Sequence, residues 1–302
     1  MLKNERMRHQ FKTEVMSGNI VKMMVAPDAL AAKICQSCGA EAVFSAGYAT
    51  SASTLAMPDR GISDFGMALE RCREIVNAVD IPVFADADTG YGDLANVKRT
   101  VESYEAIGAA GIFIEDQVWP KRCGHMDGKK VEPTEVLVAK LRAAKAARKH
   151  DDFLIMSRTD ARAVYGLDEA ISRSKQYHEA GADLIFIEAP QSSEELETIH
   201  KAFPNTPMMA NMIEDGKTPL TKPEELQKLG FNIVVYPNAM TYTQTYAEEQ
   251  LIKTLQRDGT TKAYKDHMIT FPHFNEFVGL DKVNARDAKY APEKMTKYMT
   301  NA

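Results

Sequence analysis

Three short runs in this 302-residue chain gather side chains that could do chemistry on an oxyanion. Asp86-Ala87-Asp88 and Glu115-Asp116 are dense in carboxylates, and Lys121-Arg122-Cys123-Gly124-His125 sets a thiol among two cations and an imidazole. Carboxylates at that density can hold a hard divalent cation, which takes oxygen ligands and fills its remaining positions with water or substrate oxygens. Two aspartates two apart share one face of a strand, so Asp86 and Asp88 would reach one cation together. Without a His pair at metal spacing, the set favours Mg²⁺ or Mn²⁺ over Zn²⁺. The cations and the imidazole beside Cys123 are expected to lower its pKa and fit it for acid-base work, against the alternative of a small buried hydrophobe. Arg158 offers a guanidinium that can clamp a carboxylate bidentately, or that could instead form a structural ion pair with Glu188.

The elements that must position these groups show as apolar runs separated by helical periodicity. Runs at 20–25, 42–46, 81–85, 111–114, 153–157, 184–187, 207–210 and 233–236 read as eight strands. Segments 135–149, 167–180 and 224–229 read as helices, with Gly108, Gly181 and Gly230 at helix ends. Polar residues recur where strands finish: Asp86 and Asp88 on the third, Glu115 on the fourth, Arg158 on the fifth, Glu188 on the sixth and Asn211 on the seventh. That ring predicts a (β/α)₈ barrel, whose active groups sit at the carboxyl ends of the strands. A doubly wound sheet would gather its ligand groups at one switch point. Gly90-Tyr91-Gly92 is a weak match to a dinucleotide loop, with Ala95 in the final position and two aspartates that would repel a diphosphate. The expectation is one barrel domain over 1–302, with 238–302 as a C-terminal helical extension that packs on its own barrel or on another subunit.

Composition narrows the partners. The chain is 44% hydrophobic and 26% charged, which suits a globular protein with a substantial core. A formal net charge of -5 and no aromatic-interleaved basic stripe argue against nucleic acid. The basic run Lys140, Arg142, Lys145, Arg148, Lys149 reads as a solvated helix face. The absence of a long apolar segment argues against a membrane and for a cytoplasmic protein. Four cysteines do not make a disulfide framework here, and Cys35-x-x-Cys38 lacks the second pair of a structural zinc site.

At Asp86-Ala-Asp-Thr-Gly-Tyr-Gly92, Glu115-Asp-Gln-Val-Trp-Pro-Lys-Arg-Cys-Gly-His125 and Ser157-Arg-Thr-Asp-Ala-Arg162 the chain resembles the isocitrate lyase/phosphoenolpyruvate mutase superfamily. The resemblance runs from about Val25 to Pro237, and the Lys-Arg-Cys-Gly-His run marks its carbon-carbon lyase branch. It implies a (β/α)₈ barrel, a Mg²⁺ or Mn²⁺ cofactor, a hydroxy- or oxo-acid substrate, and a homotetramer with exchanged C-terminal helices. It further implies that Asp86 and Asp88 bind the metal directly or through water and that Glu115 does so through water. Cys123 would be the general acid, with Lys121, His125 and Arg158 as further catalytic groups. Ala46, Gly47, Tyr48, Asp59, Gly124, Arg158, Glu188 and Asn211 would contact substrate, the amides of Gly47 and Tyr48 binding its carboxylate.

Within that superfamily, Asn211-Met-Ile-Glu-Asp-Gly-Lys-Thr-Pro219 looks more like the lyases of 2,3-dimethylmalate than those of 2-methylisocitrate, which have a threonine where Ile213 stands. Pro237 stands where hydrolases of oxaloacetate carry a serine. The resemblance therefore implies cleavage of a 2,3-dimethylmalate-like acid to pyruvate and a carboxylate such as propionate. Cleavage of 2-methylisocitrate is the first alternative, ahead of phosphonate chemistry. Phe44, where many relatives have a phenol or indole, and a short first loop at Val25-Ala-Pro-Asp-Ala-Leu30 leave open a barrel that binds ligand without turnover.

Overall fold

In the computed structural model, which describes residues 1–292, eight parallel strands form one sheet. They are β1 (Val21–Val25), β2 (Ala42–Ser45), β3 (Val83–Asp86), β4 (Gly111–Glu115), β5 (Leu154–Thr159), β6 (Leu184–Ile187), β7 (Met209–Asn211) and β8 (Ile233–Tyr236). Their order is β6-β5-β4-β3-β2-β1-β8-β7, and a parallel bridge between Ile185 and Met208 joins the two ends, so the sheet closes into the expected barrel. The helices are α1 (Lys3–Met16), α2 (Ala29–Ser37), α3 (Gly47–Leu55), α4 (Phe65–Ala78), α5 (Leu94–Ile107), α6 (Thr134–Ala147), α7 (Ala161–Tyr165), α8 (Leu167–Glu179), α9 (Ser193–Ala202), α10 (Pro223–Lys228), α11 (Ala239–Asp258), α12 (Phe271–Val278) and α13 (Leu280–Tyr290).

The two-residue period of a strand sorts its side chains into two cores. Val21, Met23, Val25, Phe84, Phe113, Leu154, Met156, Leu184, Phe186, Met209, Ile233 and Val235 point inward and fill the barrel. Phe11 and Val15 of α1 belong to the same cluster, so the first helix plugs the amino-terminal end. Their alternates, such as Ile112, Ile114 and Ile155 on one side and Ile185, Ile187 and Val234 on the other, pack outward against the helices.

The chain divides into two compact units, Met1–Thr243 and Gln244 onward. The first carries the barrel. The second holds the rest of α11, a 3₁₀ turn over Lys262–His267, α12 and α13, and none of its described residues is buried. Phe271, Phe274, Val278, Leu280 and Val283 leave apolar surface exposed there. The expected extension starts a few residues earlier, at 238, and its positions 293–302 lie outside the described residues.

Candidate active site

Strand alternation carries polar groups to the mouth of the barrel. Two residues past inward-facing Phe84, Phe113, Met156, Phe186 and Met209 come Asp86, Glu115, Arg158, Glu188 and Asn211, which the same period turns toward the axis. Glu115 and Arg158 are register partners on neighbouring strands, and Arg158 Nε lies 3.2 Å from Glu115 Oε2. The same guanidinium reaches Asp160 at 3.0 Å and Glu188 at 3.1 Å, and it stacks 5.4 Å from the ring centres of Phe113 and Phe186. Arg158 is thus ion-paired to Glu188, the structural alternative raised above, while it also lines the central cavity.

The acidic pairs resolve differently. Asp86 ends β3, but Asp88 lies beyond the strand in a left-handed conformation, with φ of 47°, so strand alternation does not bring the two together. A tight turn does: Asp88 N donates to Asp86 Oδ1 at 2.8 Å, and Gly90 continues it at φ 87°, where a Cβ would meet Val97 at 2.6 Å. Asp116 follows inward Glu115 and so faces outward, away from the cavity. It accepts from Thr159 Oγ1 at 2.6 Å, Asp160 N at 2.9 Å and Tyr177 Oη at 3.0 Å, which makes it scaffold.

Lys121 is fully buried, with Nζ 2.8 Å from Asp59 and 2.8 Å from Asp88. Burial works against its charge, but Asp59, Asp88, Asp86 and Glu115 outweigh that and raise its pKa well above normal. Gly47 completes this cluster: its N–H donates to Asp86 Oδ2 at 3.0 Å, and a Cβ there would meet the same oxygen at 2.9 Å. The Gly47 amide is therefore taken by Asp86, whereas Asp59, although paired to Lys121, still lines the central cavity.

The thiol also departs from expectation. Lys121 is spent on aspartates, Arg122 turns to the Asp127 carbonyl at 2.9 Å, and burial pushes the Cys123 thiol up to about 11. A backbone N–H at His125 and the Arg158 charge oppose that rise, while Asp59 and Glu188 add to it. His125 Nδ1 accepts the backbone N–H of Lys217 at 2.9 Å, so the ring proton is on Nε2, 3.2 Å from Glu188 Oε1. Burial would raise the Glu188 carboxyl, but Arg158, His125 and Lys129 hold it below the usual range. Gly124 lies against Glu188, leaving no room for a Cβ.

Ala46, Tyr48, Asp59, Asp86, Cys123 and Gly124 line one cavity of about 40 Å³, together with Arg158, Glu188 and Asn211. Of the expected site residues, Gly47, Asp88, Glu115, Lys121 and His125 stand behind that lining. Phe44 contributes its ring, stacked 5.8 Å from Phe113, and no hydroxyl. Sequence reading passed over Lys129, whose Nζ is 3.1 Å from Asp160 and also donates to the Gly124 carbonyl, pinning the Cys123 loop to the end of β5. It also passed over Asn238, whose side chain closes the cavity beside Pro237. Asp160 carried a usable signal, since it sits two residues after Arg158 at a strand end.

Six buried carboxylates (Asp59, Asp86, Asp88, Glu115, Asp160, Glu188) face three buried cations (Lys121, Lys129, Arg158), an excess of three negative charges when all are ionised. Burial raises the Glu115 carboxyl well above normal, against the pull of Arg158 and Lys121, and Glu115 Oε1 has no hydrogen-bond partner. That donor set suits a hard divalent cation. Among the described residues no three His, Cys, Asp or Glu side chains are grouped to hold a metal by themselves, so such an ion would complete its shell with water.

A sequence model of the phosphoenolpyruvate phosphomutase family matches residues 11–255. The chain is 46% identical over 273 residues to the 2,3-dimethylmalate lyase of Eubacterium barkeri, covering 89% of this chain and 94% of that protein. A solved structure of 2,3-dimethylmalate lyase superposes with a TM-score of 0.90 at 31% identity, covering 98% of this chain and 97% of that one. Phosphonopyruvate hydrolase, solved with oxalate and Mg²⁺, superposes with a TM-score of 0.85 at 29% identity, covering 97% and 100%.

Proposed function

The chain belongs to the phosphoenolpyruvate phosphomutase family, within the isocitrate lyase/PEP mutase superfamily, and from that premise we propose that it is a divalent-cation-dependent carbon-carbon lyase of substituted malates. The reference substrate is 2,3-dimethylmalate, cleaved between C2 and C3 to pyruvate and propionate. In that reaction the C2 hydroxyl loses a proton, the C2–C3 bond breaks, and C3 gains a proton.

The observation that carries this reading is a protonated thiol facing the same small cavity as Arg158 and Asp86. A carbanion needs an acid that still holds its proton at neutral pH, and a thiol raised to about 11 does. Arg158 offers fixed positive charge to the product carboxylate, oriented in advance by Glu115, Asp160 and Glu188. Asp86 and Asp88 would hold Mg²⁺, with Glu115 acting through water. When bound, the ion supplies charge against the oxyanion that develops as the hydroxyl ionises. Buried Ile213 on the cavity wall gives a third carboxylate nothing to pair with, which favours dimethylmalate over 2-methylisocitrate.

The reading includes a homotetramer in which exposed apolar side chains of α12 and α13 are covered by another subunit, checked by light scattering. It also includes a cytoplasmic setting, supported by four free cysteines and by the lack, among the described residues, of any helix long and apolar enough to cross a membrane. Incubation with Mg²⁺ and a panel of 2-hydroxy di- and tricarboxylates tests the chemistry through oxo-acid release. Pyruvate with propionate supports it, pyruvate with succinate identifies the methylisocitrate reaction instead, and no release from any acid sinks the lyase.

A further inference from the structure

The turn that carries Asp86 and Asp88 is held by side chains of the surrounding helices. Asp88 and Tyr91 both sit in the left-handed region, with φ of 47° and 57°, which residues bearing a Cβ keep only when their surroundings fix them. Here the backbone carbonyls of residues 86–90 are all taken. That of Asp86 accepts from Tyr104 Oη at 3.2 Å, that of Ala87 from Gly90 N at 2.8 Å and that of Asp88 from Glu115 N at 2.9 Å. The Thr89 carbonyl accepts from Lys140 Nζ at 2.7 Å, and the Gly90 carbonyl from Thr100 Oγ1 at 3.3 Å.

Lys140 is the unexpected member of that set. It opens the basic run that the sequence places on a solvated helix face, and Arg142, Lys145 and Lys149 are indeed exposed. Lys140 itself is half-buried on α6, where burial pulls its pKa down against the opposing charges of Glu132 and Asp93. A charge-assisted hydrogen bond holds a carbonyl more firmly than a neutral donor does. The peptide it holds follows directly on Asp88, whose own N–H donates to Asp86 Oδ1, so the placement of both carboxylates depends on this stretch of backbone. By charge alone a lysine beside Asp88 works against a metal ion there. What it contributes is geometry.

We propose that Lys140 is a positioning residue for the divalent-cation site, clamping the turn after β3 so that the Asp86 and Asp88 carboxylates converge on one ion. Thr100 and Tyr104 of α5 assist by holding the carbonyls of Gly90 and Asp86. Lys140 touches neither substrate nor metal and acts only through the Thr89 carbonyl. The assignment rests on the cation-dependent part of the lyase reading and adds to it a residue from the outer helical layer.

The test is a titration of the EDTA-treated, substrate-free protein with Mn²⁺, in which loss of the free-ion electron paramagnetic resonance signal reads affinity without turnover. Binding that Asp86→Ala abolishes marks the site. Lys140→Met keeps the stem and removes the ammonium. A lysine that were only a nearby charge would repel the ion, so its loss would tighten binding or leave it unchanged. The positioning role predicts the opposite sign, a Kd about tenfold higher, the scale on which outer partners of a metal site act. Lys140→Arg, which keeps a cationic donor, should bind within about threefold of the wild type. Where Lys140→Met does not fold, Thr100→Val removes the donor to Gly90 with little change of shape and should raise Kd about threefold. Unchanged or tighter binding in the variant that folds overturns the assignment and leaves the cation in place. A wild type that binds no Mn²⁺ at Asp86 overturns it too, and is distinguishable because it removes the cation from the lyase reading itself.

Discussion

The backbone N–H of Lys217 donates to Nδ1 of His125, joining the loop after β7 to the loop that carries Cys123. Because an amide can only donate, it fixes the neutral tautomer of His125 with its proton toward Glu188. His125 thus ties the thiol loop to Glu188 and to the loop after β7. His125→Ala should lower kcat on the order of a hundredfold, the scale on which small misplacements of a reacting group matter. Lys217→Ala keeps the backbone donor and loses only an ion pair to exposed Asp127, so it should change kcat less than about fivefold. Similar losses in both variants would reject the latch.

The Cys123 thiol must be protonated to act as an acid. A free thiol is half ionised near 9, whereas burial moves this one to about 11, so the acid form survives two pH units further. The alkaline limb that depends on Cys123 should therefore fall near 11, and alkylation by iodoacetamide should be slow at pH 8 and accelerate toward the same value. Cys123→Ser should cut turnover severely while product binding changes little. An alkylation midpoint near 9 would contradict the burial of the thiol.

Lys121→Met strands Asp59 and Asp88 as buried carboxylates without their cation. Breaking a buried pair by removing one partner costs about 3–5 kcal/mol, so urea denaturation should show a loss of that size. A loss below about 1 kcal/mol would mean that water reaches the pair.

Asp116 separates scaffold from site. Asp116→Asn weakens its hydrogen bonds to Thr159, Asp160 and Tyr177 and its ion pair with Arg173, and should cost about 1–3 kcal/mol of stability. KM for the substrate should stay within about twofold, since the side chain faces away from the cavity. A tenfold rise in KM would place Asp116 in the site after all.

Excess buried negative charge predicts that a divalent cation would stabilise the fold. Addition of Mg²⁺ to EDTA-treated protein should raise the unfolding temperature, because an ion that binds only the folded state stabilises it by mass action. Asp86→Ala should abolish that rise. A Mg²⁺-dependent rise that survives in Asp86→Ala would place the ion elsewhere.

Much of this was legible in the chain because the information is local. Apolar runs of strand length, repeated eight times, dictate a parallel barrel, and the two-residue period alone turns Asp86, Glu115, Arg158, Glu188 and Asn211 inward. The same rule, applied one residue further, sends Asp116 outward, although adjacency to Glu115 suggests a single cluster. Charge next to charge in sequence is a poor guide for the same reason, since neighbours on a strand or loop face different ways.

Only tertiary structure decided the electrostatics. Lys121 stands two residues from Cys123 but spends its charge on Asp59 and Asp88, from other loops, and burial then raises the thiol that sequence proximity predicts to be lowered. His125 is held by Glu188 and Lys217, and Asn238 is left with an unmet carbonyl, because distant segments meet at the barrel mouth. Burial and partners set a group's pKa and its unmet hydrogen bonds, and both depend on contacts between residues far apart in the chain. Residue types and spacing determined the family and the barrel, whereas the closing of the ring determined what each group in the site can do.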